Sequence, residues 1–387
     1  MMSHIRIHSV DALRGFAVMA ILLIHNVEHF IFPVYPVSEP DWLAALDKSV
    51  FDVTFFLFAG KAYAIFALLF GFTFYIQNHN QQKAGHDFGY RFMWRLLLLA
   101  GFACLNAAFF PGGDVLLLFT VVGGVLVIVR HWKTKNVAIL AVLLLLQPVE
   151  WIYLLMLAFV PGFHIPDLHV GELYAEVGSV VKTGNFWDFI MCNIGVGQKA
   201  SLFWAIDAGR FMQTAGLFLL GFILGRKQLF VLSDEHLRFW KRMLIVAFAV
   251  FLPLYFIHAQ LAVVENAACK LLAIIFDMWQ KLSFAFVLIS AFMLLYGKTS
   301  FGHHSHLLQN YGKMSLTNYV SQSVIGALIY FPIGLYLAPY CGYTISLFIG
   351  IGVFVLQLVF TQWWLSAHRQ GPLEAFWHRL TWLHSTR

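Results

Sequence analysis

The chain has 387 residues, of which 60% are hydrophobic and only 11% are charged. An ordinary soluble domain carries about 25% charged residues, so too little polar surface exists here to wrap a water-soluble core of this length. That excludes a soluble enzyme, a secreted disulfide scaffold and, despite a formal charge of +6, a nucleic-acid binder. What remains is an all-α polytopic bundle of transmembrane helices in a lipid bilayer.

A span needs about 20 mainly apolar residues to cross a hydrocarbon core about 30 Å thick. Taken along the chain, about ten spans are predicted at 10–32, 53–76, 92–110, 115–129, 137–160, 211–224, 244–262, 271–295, 317–337 and 344–365. With this count and a cytoplasmic N-terminus, most of the 25 Lys and Arg fall in inside loops, among them Arg91, Arg95, Arg130, Arg226 and Lys241. Most acids fall elsewhere. A wrong count would flip alternate loops and scramble that bias, so both termini are placed in the cytoplasm. The first apolar run contains charges and is followed by no A-x-A-like cleavage site, so it reads as an uncleaved span. The largest outside loop, 161–207, holds a stretch rich in Phe and Trp at 186–204 that suits the interface plane. The four cysteines lie far apart and read as buried small hydrophobes.

Ionisable residues inside spans are costly and are functional candidates by default. The first span reads Val10-Asp11-Ala12-Leu13-Arg14-Gly15-Phe16 and continues to His25, Asn26, Glu28 and His29. Eleven helical residues rotate by about 1100°, roughly 20° past three turns, so Arg14 and His25 share a face about 16 Å apart. Asp11 lies about 60° to one side of Arg14. This polar stripe suits a group transfer. Arg14 would hold a phosphate or carboxylate at the cytoplasmic face, and His25 would act as general base toward the outer side. The bland alternative is an interfacial Asp11–Arg14 pair and a His25 that satisfies a neighbouring carbonyl.

Arg14 and His25, within Val10 to His25, resemble the first helix of the membrane acyltransferase-3 family, over about sixteen residues. That resemblance implies transfer of an acyl group from cytoplasmic acyl-CoA to a cell-envelope glycan. A longer resemblance, to the YeiB-like family of bacterial membrane proteins, covers nearly the whole chain. Its marks are Asp11-Ala12-Leu13-Arg14-Gly15, the run from Gly60-Lys61 to Gly71, Gly113-Asp114, and Gly221 to Arg226. They continue with Gly312-Lys313-Met314-Ser315-Leu316-Thr317-Asn318-Tyr319 and Gly371-Pro372-Leu373-Glu374, followed by Trp377 and Arg379. The C-terminal part is similar to domain of unknown function 418. The resemblance divides the chain into an N-terminal transmembrane region, 1–225, and a C-terminal transmembrane domain, 226–387. It implies a multi-pass protein of the bacterial inner membrane. Two positions depart from that family's pattern: His25 stands where Asn is common, and Asn106 stands where a His precedes the Gly-Asp pair.

Lys61, in an otherwise apolar segment, either snorkels outward or lines the cavity of His25. Asp114 starts an outer helix, as a cap or as a partner of the base. Glu150 follows Gln147-Pro148 in mid-span, and Asp207 and Arg210 are expected to pair. Gly221-x-x-x-Gly225 permits close helix approach, within one chain or in a homo-oligomer. His303, His304 and His306 read as a solvated loop, so no metal site is predicted. Ser315, Thr317 and Asn318 read first as an N-cap, with Gly312-Lys313 as a second candidate for a donor phosphate.

These residues support two readings. The leading one is a membrane O- or N-acyltransferase that takes acyl-CoA at Arg14 and Lys313 and passes the acyl group to a glycan or lipid acceptor. Its candidate catalytic residues are His25, Arg14, Asp11, Lys61 and Asp114. It requires a passage from the cytoplasm that opens at a basic mouth near Arg14 and ends near His25. The alternative is a transporter or exporter of a small or lipidic metabolite, which predicts a central cavity around Glu150. No repeat and no pair of broken helices is apparent in its favour. A non-catalytic envelope partner is a third possibility.

Overall fold

The computed structural model describes residues 7–298, 301–302 and 305–383. Among these the chain is helical, without strands. The helices are α1 (His8–Val27), α2 (Asp41–Phe58), α3 (Lys61–Lys83), α4 (Gly89–Ala107), α5 (Leu116–Val129), α6 (Thr134–Leu145) and α7 (Pro148–Phe159). There follow α8 (Val170–Lys182), α9 (Phe186–Cys192), a π-helical turn (Asn193–Gly197), α10 (Gln198–Asp207), α11 (Arg210–Arg226) and α12 (Asp234–Ala262). Beyond these lie α13 (Ala267–Tyr296), α14 (His306–Lys313), α15 (Ser315–Tyr330), α16 (Tyr343–Ala367) and α17 (Pro372–Thr381).

Six helical segments are long and apolar enough to cross a membrane, or seven if the bent pair α6–α7 counts as one. This is a multi-pass membrane protein. How its helices divide between bundle and lipid follows from burial. In α1, 72% of the apolar window is buried, against 11% in α12. Hence α1 is an axis of the bundle, while α12 turns Ile245, Val246, Phe248 and Phe256 outward as lipid-facing surface.

The expected spans 53–76 and 137–160 are each cut in two. Gly60 adopts a left-handed conformation with φ 72°, which ends α2 and restarts the chain as α3. Gln147 is also left-handed, and Pro148 follows at the first helical position. The ring cannot continue the i→i−4 ladder, and α6 and α7 meet at 47°. The expected interfacial stretch 186–204 is a helical segment, Phe186–Asp207, apolar and long enough to cross. It is tied to α4 and to the start of α5 through Asn193, Gln198 and Ser201, which donate to the carbonyls of Ala108, Ala103 and Asp114.

The family marks Asp11–Gly15 and Gly312-Lys313 meet where α1 crosses α14. A Cβ on Gly15 would lie 2.2 Å from the Leu308 carbonyl oxygen, and one on Gly312 would lie 1.9 Å from that of Asp11. Gly221 packs in the same way against Leu68 of α3, and Gly225 against Tyr75, so the G-x-x-x-G motif serves an approach within the chain. Of the cysteines only Cys341 is buried, and Cys104 is exposed. In a bilayer an apolar outward face is as comfortable for a thiol as a core, which is why the burial expectation fails there.

Candidate functional site

Arg14 stands near the N-terminal end of α1. Its guanidinium donates to the Asp11 carboxylate at 3.2 Å and to the Thr73 hydroxyl of α3 at 2.9 Å. Asp11 is buried beside it. The expected pair therefore forms, but one arm of the fork reaches across to a second helix. Beside Arg14 opens a cavity of about 260 Å³. Its mouth carries Arg14, Gln77, Arg95, Lys313, Glu374 and His378, and its depth is lined by Phe66, Leu69, Phe70, Leu99, Phe119 and Tyr319. Cations thus gather at one end of an aromatic and aliphatic chamber.

The mouth is closed from below by α17. Arg95 of α4 lies over the Trp377 ring at 4.2 Å, and Trp377 returns a hydrogen bond from its indole N–H to the Arg95 carbonyl at 3.2 Å. Arg91 lies over Trp382 at 4.0 Å in the same manner. The Nε of Arg95 has no hydrogen-bond partner among the described residues. In sequence Arg95 is one basic residue among many at the expected cytoplasmic side, and only the packing of α17 places it at the cavity.

Glu374, at the start of α17, accepts hydrogen bonds from the backbone N–H groups of Leu316 and Thr317 at 2.7 and 3.0 Å and from the Thr317 hydroxyl at 2.6 Å. The expected cap from Ser315, Thr317 or Asn318 is therefore replaced. The carboxylate capping α15 comes from 57 residues downstream. Burial raises the Glu374 carboxyl above its ordinary range, and the bonds from Thr317 and Leu316 pull it partly back. Burial, then the nearby Arg95, holds the His378 imidazole below its ordinary value. Lys313 donates to the Asn310 side-chain oxygen at 2.9 Å.

The inner end of the cavity is Tyr319. Its ring stacks on Phe66 at 6.3 Å and stands 6.4 Å from the ring of His25. His25 is half-buried against Phe110 at 4.6 Å and Phe30 at 5.6 Å. Its Nδ1 has no hydrogen-bond partner among the described residues. Arg14 lines the chamber and His25 does not; the chamber comes nearest the imidazole at the Tyr319 ring. His29 is different. It is fully buried, bonded to the Val34 carbonyl and the Ser346 hydroxyl, and sandwiched between Tyr35 and Tyr330. Three successive residues, His29, Phe30 and Ile31, hold positive φ, a conformation bulky side chains adopt at a cost.

Asp114 caps α5. Its carboxylate accepts from the N–H groups of Leu116 and Leu117 and from the Asn106 amide at 2.9 Å, while Asn106 accepts from the Ser323 hydroxyl at 2.8 Å. Asn106 is thus a fixed bridge between α4, α5 and α15. Lys61 joins neither His25 nor open solvent. It is buried over Phe56 and Phe284. Asp207 and Arg210 do not pair, because Gly209 breaks the helix between them; Arg210 instead donates to Gln213 at 3.0 Å. Of the histidine cluster, His303 and His304 lie outside the described residues, and His306 begins α14.

Fold and site define a multi-pass membrane helix bundle with a basic-mouthed apolar chamber. Within that class, residues 224–384 match the family model described as Protein of unknown function (DUF418). The chain is 27% identical to "Uncharacterized protein YeiB" of Escherichia coli (strain K12), over 96% of this chain and 95% of that one. It is 24% identical to "Uncharacterized protein YxaH" of Bacillus subtilis (strain 168), over 98% and 94%. It is also 24% identical to an "Uncharacterized 39.9 kDa protein in amylase 3'region" of Bacillus acidopullulyticus, over 97% and 94%. The likeness to YeiB-like proteins thus runs along nearly the whole chain, and the DUF418 match falls in its C-terminal part. No solved structure matches it. The likeness of the first helix to acyltransferase-3 proteins rests on its short motif alone.

Proposed function

We propose that this protein is an acyltransferase of the bacterial inner membrane that crosses the bilayer about ten times with both termini in the cytoplasm. The ten crossings are α1, α2–α3, α12, α13 and α16, the bent pair α6–α7 and the shorter helices α4, α5, α11 and α15, with the segment Phe186–Asp207 lying in the interface. One observation carries the enzymatic reading: the chamber has Arg14, Arg95 and Lys313 at its mouth and aromatic and aliphatic side chains in its depth. That pairing of charge and apolar surface suits acyl-CoA, with its anionic head at the mouth and its chain inside.

In the step we envisage, the acceptor's O–H or N–H adds to the thioester carbonyl. The C–S bond breaks, an ester or amide forms, and coenzyme A leaves as thiolate. The acceptor's proton passes to the buried, unpartnered Nδ1 of His25 and from there to the thiolate. Tyr319 must swing aside for the thioester to meet His25, since its ring stands between them. The acceptor is a glycan or lipid of the cell envelope.

The test is labelled acyl-CoA supplied to the purified full-length protein with envelope glycan and lipid acceptors, for wild type and His25→Ala. Transfer by wild type that His25→Ala abolishes is the expected result. Transfer that persists in His25→Ala removes the role of His25, and none by wild type removes the acyltransferase reading.

A second reading, a transporter of a small or lipidic metabolite, gains from one observation. The break at Gln147 meets the break at Gly209, where a Cβ would lie 2.9 Å from the Glu150 carboxylate and 3.3 Å from the Gln147 side-chain oxygen. Interrupted helices that meet in mid-membrane are where transporters hold their substrates. Uptake or efflux lost in Glu150→Gln, with no acyl transfer by wild type, would favour it.

A further inference from the structure

At the end of α3 away from the chamber, cations converge without matching acids. Gly60 is left-handed, and a Cβ there would lie 2.6 Å from Cδ of Lys281 and 3.4 Å from a terminal guanidinium nitrogen of Arg210. Both side chains thus close over the turn that starts α3 at Lys61. Lys61 is only 5% exposed, and besides the Phe56 and Phe284 rings its ammonium has one long hydrogen bond, 3.5 Å to the Phe55 carbonyl. Lys281 donates to Asp277 at 2.5 Å. Gln280 donates to the same carboxylate at 3.1 Å, and His258 lies 3.8 Å from it.

Three cations therefore face one carboxylate. Even with Glu150 counted from the far side of Gly209, one positive charge is left over. An unbalanced charge in a low-dielectric bundle is costly. The donors are also incompletely used. Arg210 is 7% exposed and Gln213 is fully buried, yet the Arg210 Nε and the Gln213 Nε2 have no partner among the described residues. The positive end of α3, which lacks a side-chain cap, points to the same place. Asp277 and Lys281 are each 19% exposed, so the cluster is reached from outside the bundle.

We infer that Lys61, Arg210 and Lys281 form a binding site for a phosphate group. A planar Arg fork, two ammonium groups and a helix N-terminus match the several oxygens of a phosphate better than the two of a carboxylate. A single residual charge matches a phosphodiester. The source is either an anionic lipid headgroup or a soluble phosphate. None of these residues lines the Arg14 chamber, so this inference and the acyl-transfer reading fail independently.

The test uses full-length protein purified in phosphate-free maltoside micelles. Thermal unfolding is followed with added inorganic phosphate, with added phosphatidylglycerol, and with chloride at matched ionic strength. One of the two phosphate sources should raise the Tm of wild type by several degrees beyond chloride, and which one does so identifies the source. The shift should fall by more than half in Lys61→Gln and Arg210→Gln and be kept in Lys61→Arg. A shift no larger than that of chloride, or the same shift in the Gln variants, overturns the site. Should the Gln variants not fold, native mass spectrometry of wild type and Lys61→Arg decides: no retained phosphatidylglycerol or phosphate in either overturns it.

Discussion

The Glu374 carboxylate holds the hydroxyl of Thr317 at 2.6 Å, and through that contact the last helix of the chain caps the start of α15. The two family marks Gly312–Tyr319 and Gly371–Glu374 are thus two halves of one joint. The joint also forms part of the chamber mouth, since Glu374 and Ser315 both line it.

Glu374→Ala should lower stability by about 1–2 kcal/mol, the usual cost of a lost helix cap, and loosen α17. Glu374→Gln, which keeps an acceptor, should lose less. A double-mutant cycle with Thr317→Val in unfolding experiments in micelles should give a coupling of about 0.5–3 kcal/mol. Additive effects would mean the contact is energetically idle.

Gly312→Ala and Gly15→Ala should each destabilise by about 1–3 kcal/mol, because the new methyl meets a backbone carbonyl that cannot move aside alone. Gly101→Ala on α4 is the control. A Cβ there meets nothing within 4 Å, and better helix propensity should leave stability equal or higher. Equal losses at all three positions would refute the close crossing of α1 and α14.

Asn106→Ala removes one donor to Asp114 and the acceptor of Ser323. Leaving such buried groups unsatisfied costs about 1–3 kcal/mol. Unfolding should be easier in Asn106→Ala than in Asn106→Ser, which retains a polar side chain. Equal stability of the two variants would show that the bridge contributes nothing.

Arg95→Gln should raise the KM for acyl-CoA several-fold with a smaller change in kcat, as expected of a group that binds the head and takes no part in bond making. A fall in kcat alone would assign Arg95 a different role.

The mouth also predicts a pH dependence. The imidazole of His378 is held below its ordinary value by burial and by Arg95, so it is neutral at pH 7. For a His of depressed pKa, stability is fully present above about pH 6.5, its unfolded value, and is lost as pH falls toward the folded value. An anion in the mouth favours the protonated ring and opposes that loss. Anion affinity at the mouth should therefore rise on acidification below about pH 6.5, and His378→Gln should flatten the profile. An unchanged slope in the variant would exclude His378.

Much of the architecture is legible along the chain. Long apolar runs announce α1, α12, α13 and α16, and the 3.6-residue period aligns Arg14 with His25. Two breaks also left local marks, in Gly60 and in Gln147-Pro148, yet each lies within an apolar run that hydropathy reads as continuous. The joint of Glu374 with Thr317, the use of Arg95 and the cluster around Gly60 leave no such mark. Their partners are 57 or more residues apart, and no local spacing connects them.

Taken by itself, the sequence determines the solvent this protein lives in, because 60% apolar and 11% charged residues leave only lipid to cover its surface. It also determines the polar face of the first helix, because helical periodicity is local. Only the tertiary structure decides which charges matter. In a bundle with few charges, a cation's role depends on what distant helices bring beside it. Arg14 and Arg95 open into a chamber, Arg226 ties the α5–α6 connection through the Arg130 and Trp132 carbonyls and the Thr134 hydroxyl, and Lys61 belongs to a separate cluster. That choice is made by helix packing, which no spacing within one segment records.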